Sequence, residues 1–153
     1  MAVGVDRDPA ILAAGRREVG PFRAVCGDAL LLPFRSGGFD WALCNQVVEH
    51  VETPAALLLE ARRVLRPKGR LLLTTPNRRA HLATRRPRRF VEALLGRARS
   101  DPTHVREFTP REIAALLRET GFVLEHREAV GRNAKVPFLR PFAGGVLLVA
   151  RPA

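Results

Sequence analysis

A chain of 153 residues with 46% hydrophobic content is one domain with enough apolar material for a core, and no apolar run is long enough to span a bilayer. Two cysteines, each at a predicted strand end, do not make a disulfide framework, and the start MAVGVDRD has no basic-then-apolar signal pattern, so the reading is a reduced, cytoplasmic protein. The net charge of +11 calls for an anionic partner or an arginine-rich proteome.

Ala2 to Val5 is apolar and reads as a strand ending at Asp6. Asp8 is a good N-cap and Pro9 a good first helical residue, which predicts a helix through Ile11, Leu12, Ala13 and Ala14. Phe22 to Val25 feed a second short strand that stops at Gly27-Asp28, and Leu30 to Phe34 make an apolar loop. Phe39-Asp40 open a third strand, Trp41 to Cys44, which ends at Asn45 at the mouth of a helix. Thr53-Pro54 start the next helix, with Leu57, Leu58, Ala61, Val64 and Leu65 on one face and Pro67 and Gly69 as its stop. Leu71 to Thr75 is nearly all apolar, as a strand covered on both faces should be. Thr109-Pro110-Arg111-Glu112 is a capping box, and the helix it opens ends at Gly121. Phe122 to Val130 and Gly145 to Ala150 read as a closing antiparallel hairpin around a long loop, Gly131 to Phe142. The whole is an α/β domain over residues 1–153 with a mostly parallel sheet, no repeat and no second domain.

Arg78 to Arg99 stands apart, with eight arginines against one acid, Glu92. Phe90, Val91, Leu94 and Leu95 put an apolar stripe at helical spacing inside it. Such a segment can lie on an anionic membrane, bind an acidic substrate or RNA phosphate, or simply pack by its stripe with its arginines in water. It forms the core of a basic insert at about 78–103.

In an open α/β sheet, ligands sit beyond the carboxyl ends of the strands. Asp28 and Asn45 occupy that edge, with apolar Ala29 beside Asp28. The set suits a nucleoside, with hydrogen bonds for base and ribose and apolar walls for ring faces; it also suits two ordinary strand-to-helix caps. Asp6 ends its own strand, and a carboxylate can accept from both hydroxyls of a ribose. Gln46, Glu49 and His50 stand at i, i+3 and i+4, so a helix would put them on one face, and His104 is a further imidazole downstream.

The stretch CGDALLLPFRSGGFDWALCNQVVEHV, Cys26 to Val51, resembles the middle of a class I S-adenosylmethionine-dependent methyltransferase. GVDRDP (Gly4 to Pro9), ARRVLRPKGRLLLTTPN (Ala61 to Asn77) and THVREFTPREIAALLRETGF (Thr103 to Phe122) resemble further segments of that family, in the family's order. The likeness is greatest to small-molecule O-methyltransferases such as those of ubiquinone biosynthesis. It implies a Rossmann-like fold, S-adenosylmethionine as cofactor, and cofactor contacts from Asp6 and Arg7 (the ribose end), Asp28, Ala29 and Asn45. It also implies that the insert decides the acceptor.

The family places a first strand and a glycine-rich loop ahead of the residue matching Asp6, and here only five residues precede it. The chain is therefore read as N-terminally truncated, lacking that strand and loop. That reading predicts a gap or an altered pairing between the Asp6 strand and the Cys44 strand, and poor cofactor binding by this chain alone. Methyl transfer to oxygen needs a proton removed, and Glu49, His50 and His104 are the catalytic candidates. Carboxylate plus two imidazoles can hold a divalent ion, but Gln46 is a weak ligand, and no metal is assigned. The expected function is methyl transfer to a small or lipid-like acceptor, with peripheral contact to anionic membrane through 78–99. The alternatives are a truncated, inactive module and a basic RNA-binding or RNA-methylating protein. Nucleic acid is disfavoured because aromatics are 6% of residues, with no tyrosine.

Overall fold

The computed structural model describes residues 2–83, 101, 103–131, 135 and 144–153, the side chains at 81–83 excepted. In chain order the elements are β1 (Val3–Asp6), α1 (Pro9–Val19), β2 (Arg23–Cys26), β3 (Phe39–Asn45), α2 (Pro54–Val64), β4 (Leu65–Pro76), a 3-10 turn (Arg78–Ala83), α3 (Pro110–Glu119), β5 (Phe122–Val130) and β6 (Gly145–Pro152). Most of the predicted insert, 84–100, and most of the predicted loop 131–142 lie outside the described residues.

Caps set the helix starts. The Asp8 side chain accepts from Ala10 N at 2.8 Å, and Pro9 follows as the first helical residue. Thr109 accepts from Glu112 N while Glu112 reaches back to Thr109 N, closing the capping box in both directions. Thr53 makes no side-chain cap bond, so Pro54 alone pre-sets the start of α2. Gly121 ends α3 at φ 78°, where a side chain would be strained and would also meet the Arg62 guanidinium.

The core is one cluster. Leu57, Leu58 and Ala61 of α2 pack with Ile113, Ala114 and Leu117 of α3 against Leu71 and Leu73 of β4 and Leu148 of β6. The sheet beneath runs β3-β4-β6-β5. β3 and β4 are parallel, with Cys44 opposite Leu73; β6 is antiparallel to both β4 and β5. This is the expected hairpin, but its second strand lies inside the sheet, between β4 and β5.

β4 begins at Leu65, earlier than the expected stop at Pro67 and Gly69. Pairing jumps from Phe39↔Leu65 to Trp41↔Arg70, so the residues between bulge out of the ladder. Gly69 is not at positive φ; its glycine is needed because a Cβ would stand 3.0 Å from Arg66 O and 3.1 Å from Phe39 O.

β1 and β2 form a separate two-stranded parallel sheet, Val5 opposite Val25. No ladder joins β1 to β3 among the described residues. Between them runs a slot of about 400 Å³, walled by Val3 and Val5 on one side and Leu43 and Cys44 on the other, with Leu58 of α2 also lining it. The expected gap between the Asp6 strand and the Cys44 strand is thus present. The loop that bridges the two sheets is clamped to α2. Arg63 donates to Phe34 O at 2.7 Å and Leu32 O at 2.9 Å, and Glu60 accepts from Leu32 N at 2.8 Å.

Candidate active site

Polar groups converge on a second cavity, of about 510 Å³, at the carboxyl ends of the strands. It is lined by Asp6 at the end of β1 and Arg7 after it, by Asp28, Ala29 and Leu30 after β2, and by His50 after β3. The slot is the more apolar of the two hollows, but it offers few polar groups to orient a ligand; the second cavity has the acids.

Local hydrogen bonds aim these acids. Asp6 Oδ1 accepts from Asp8 N at 2.8 Å, and Asp28 Oδ1 accepts from Leu30 N at 2.8 Å. Each carboxylate is thereby fixed by a short turn at a strand end. Arg7 Nε approaches Asp28 Oδ2 at 3.9 Å, a long and exposed pair that contributes little energy. Four of the five expected cofactor contacts, Asp6, Arg7, Asp28 and Ala29, line this cavity. Asn45 does not. It lines the slot, and its Oδ1 accepts from Thr74 Oγ1 on the neighbouring strand.

Gln46 to His50 do not form the expected helix. Gln46 has φ 54°, the one positive value outside glycine among the described residues, and residues 48–50 form a single turn closed by His50 N donating to Val47 O at 3.0 Å. A left-handed glutamine costs on the order of 1–3 kcal/mol and persists only where its surroundings fix it. Here Gln46 N donates to Thr74 O at 3.1 Å. In the amide orientation that satisfies both ends, Nε2 donates to Glu49 Oε1 at 3.2 Å and the amide oxygen accepts from Thr75 N at 3.3 Å.

Glu49 is fully buried. Thr75 Oγ1 donates to its Oε2 at 3.1 Å, and its backbone oxygen accepts from Val105 N and Arg106 N. Burial pushes its carboxyl above the usual range, against the opposing pull of its own backbone N–H, of the Thr75 hydroxyl and of the nearby histidines. Behind it the chain returns from far downstream. His50 Nδ1 lies 3.3 Å from Thr103 O, and the His50 and His104 rings meet edge to face with centroids 4.8 Å apart. His104 is buried, with Nδ1 2.8 Å from Glu107 Oε1.

The three catalytic candidates therefore gather in one place, with donor atoms within 4.8 Å of one another. A tetrahedral ion with bonds of about 2.1 Å sets its ligands about 3.4 Å apart, so the set would have to close by about an ångström to hold one. Only His50 of the three faces the cavity. Sequence reasoning missed Glu107 and Thr75. Glu107 is the i+3 neighbour of His104, but the segment is not a helix, so no periodicity marked the pair. Arg78, counted with the basic insert, instead donates to Glu112 Oε1 of α3 at 2.8 Å.

Residues 1–73 match a family model described as a methyltransferase domain. Over 149 residues, 97% of the chain, it is 31% identical to a probable S-adenosylmethionine-dependent methyltransferase of Mycolicibacterium smegmatis, and covers 54% of that protein. Over 98 residues, 60% of the chain, it is 36% identical to the ubiquinone biosynthesis O-methyltransferase of Xanthomonas axonopodis pv. citri, and covers 38% of it. The chain thus spans about half or less of the length of these relatives. Among solved structures, a putative methyltransferase from Bacillus halodurans superposes with a TM-score of 0.72 at 22% identity, over 99% of this chain and 83% of that one.

Proposed function

This chain has the sequence signature and the fold of a class I S-adenosylmethionine-dependent methyltransferase, and from that premise we propose that it directs methyl transfer to the oxygen of a small or lipid-like acceptor. The observation that carries the reading is one cavity that Asp6, Asp28 and His50 all line. The likeness to a ubiquinone biosynthesis O-methyltransferase supports the choice of oxygen.

Asp6 would hold the ribose by both hydroxyls, with Arg7 beside it, and Asp28 and Ala29 would meet the adenine. The bound cofactor would supply an electrophilic methyl on a sulfonium. The protein's part is to fix the acceptor in line, exclude water and take the acceptor's proton. His50 would take the proton; that it alone of the three candidates lines the cavity supports this role. Glu49, behind it, would offset the charge of the imidazolium that forms. The basic stretch 78–99 would bring the chain to an anionic surface or acceptor. The described residues include no helix long and apolar enough to cross a membrane.

The slot beside β1 lies open next to the cofactor end, so affinity should depend on what fills it. Calorimetry with residues 1–153 alone should show binding weaker than micromolar. A fusion that supplies an apolar strand and a glycine-rich loop ahead of Met1 should bind at micromolar level. Asp6→Ala in that fusion should weaken binding at least tenfold, about 1.4 kcal/mol. Micromolar binding by 1–153 alone would overturn the dependence on the slot, and unchanged affinity in Asp6→Ala would remove Asp6 from the site.

A further inference from the structure

Glu107 has no part in the reading above, yet its placement is unusual for a carboxylate. Its side chain is 1% exposed, that of His104 is 7% exposed, and Oε1 stands 2.8 Å from His104 Nδ1. Carboxylates are seldom buried this fully without a fixed partner. With Glu107 ionised, the carboxylate has no proton to give, and the imidazole is the donor in this contact.

We infer that Glu107 is a positioning residue that fixes His104 as the tautomer protonated on Nδ1 and so puts the ring's lone pair on Nε2. The His104 ring meets His50 edge to face, and two buried carboxylates stand by the pair: Glu49, within 4.8 Å of both rings, and Glu107 on His104. Asp101 is a further acid near both rings, held by Thr103 N at 2.7 Å and by Thr103 Oγ1 at 2.6 Å. His50 has a matching arrangement: its Nδ1 faces the Thr103 carbonyl, which can only accept, and the Thr103 hydroxyl, whose proton goes to Asp101. Both rings are therefore steered to the same tautomer from their Nδ1 side, one by a buried acid and one by the backbone. When a proton passes from an acceptor hydroxyl to the pair, the O–H bond breaks, an N–H bond forms, and the positive charge is met by fixed negative charge already in place. This catalytic consequence rests on the methyl-transfer reading; the tautomer assignment does not.

Nitrogen-15 NMR of the histidine rings tests it, at a pH where the rings are neutral, with the His104 signal identified by its loss in His104→Gln. The native protein should show the proton of His104 on Nδ1. Glu107→Leu, which removes the acceptor at similar volume, should move that proton toward Nε2. Glu107→Gln, which keeps an oxygen acceptor, should hold it on Nδ1. A native ring protonated on Nε2 would overturn the inference, and so would a ring that stays on Nδ1 in Glu107→Leu. If the leucine variant does not fold, the native spectrum decides alone. In the strand-supplied fusion, Glu107→Leu should lower kcat at least tenfold and leave cofactor affinity within twofold. An Nδ1 tautomer in a fusion that transfers no methyl would sink the reaction and keep the assignment; a transferring fusion with the wrong tautomer would do the reverse.

Discussion

β4 and β1 are both strands of parallel pairs, yet among the described residues β4 is paired on both edges and β1 on one. Leu71 and Leu73 of β4 are fully buried, while no residue of β1 is. Their helices differ in the same way. α2 buries Leu57, Leu58, Ala61 and Val64; α1, of equal length and similarly apolar, buries nothing. Composition does not separate the two regions. What separates them is neighbours: α2 lies on a four-stranded sheet and α1 on a pair of strands beside an open slot. The part of the cavity lined by Asp6 and Asp28 is thus built on the less consolidated region, and the part lined by His50 follows a strand of the core sheet.

The largest expected effect is in local opening. Amide exchange should be faster by orders of magnitude in β1, α1 and β2 than in β4 and β6, because few buried contacts hold the former closed. Thiol labelling reads the same contrast. Cys26 is exposed on β2, while burial, aided by the nearby Glu49 charge, pushes the Cys44 thiol up to about 12. Cys26 should label within minutes and Cys44 only on unfolding. Equal labelling would mean that β3 is no better protected than β2.

Next in size are truncations of paired leucines. Leu148→Ala in β6 should cost about 2–5 kcal/mol in denaturant unfolding. Leu12→Ala in α1 should cost under about 1 kcal/mol. A large loss at Leu12 would show that α1 packs more tightly than its exposure indicates.

The smallest effect tests the clamp between the regions. The Arg63 hydrogen bonds hold the Glu60 carboxyl below its ordinary value of 4.5, with burial opposing and the Leu32 amide assisting. Its folded value is lowered, so the stability it adds is complete above about 4.5, where both states are ionised, and is lost as pH falls through the lower folded value. The Tm difference between the native protein and Glu60→Gln should therefore be constant above that pH and shrink below it. A difference that grew on acidification would put the clamp's sign the wrong way round.

Much of this was legible in residue patterns where the determinants are local. Asp8-Pro9 and the Thr109–Glu112 box act within one turn, and the apolar period of Leu57, Leu58, Ala61 and Val64 is a property of one helix. Asp6 and Asp28 could be placed because strand ends in an α/β sheet share an edge. The differences came where distant chain decides. Asn45 lines the slot, with its side chain bonded to Thr74, because β4 lies beside it in register, Asn45 opposite Thr74. The helix expected at Gln46 gave way to a left-handed residue fixed by β4. Glu107 was invisible because its burial depends on the return of residues 103–108 over the turn that carries Glu49 and His50.

The place of β6 has a consequence for how the chain comes off the ribosome. β5 is made before β6, and its only ladder in the described sheet is with β6. β4 likewise has one edge that nothing but β6 covers. Until residues 145–152 emerge, two strands wait with unsatisfied edges, and the cluster around Leu148 cannot close. The sheet therefore assembles in one late, cooperative step rather than strand by strand. A nascent chain arrested before Gly145 should stay protease-sensitive through β5, whatever has formed upstream.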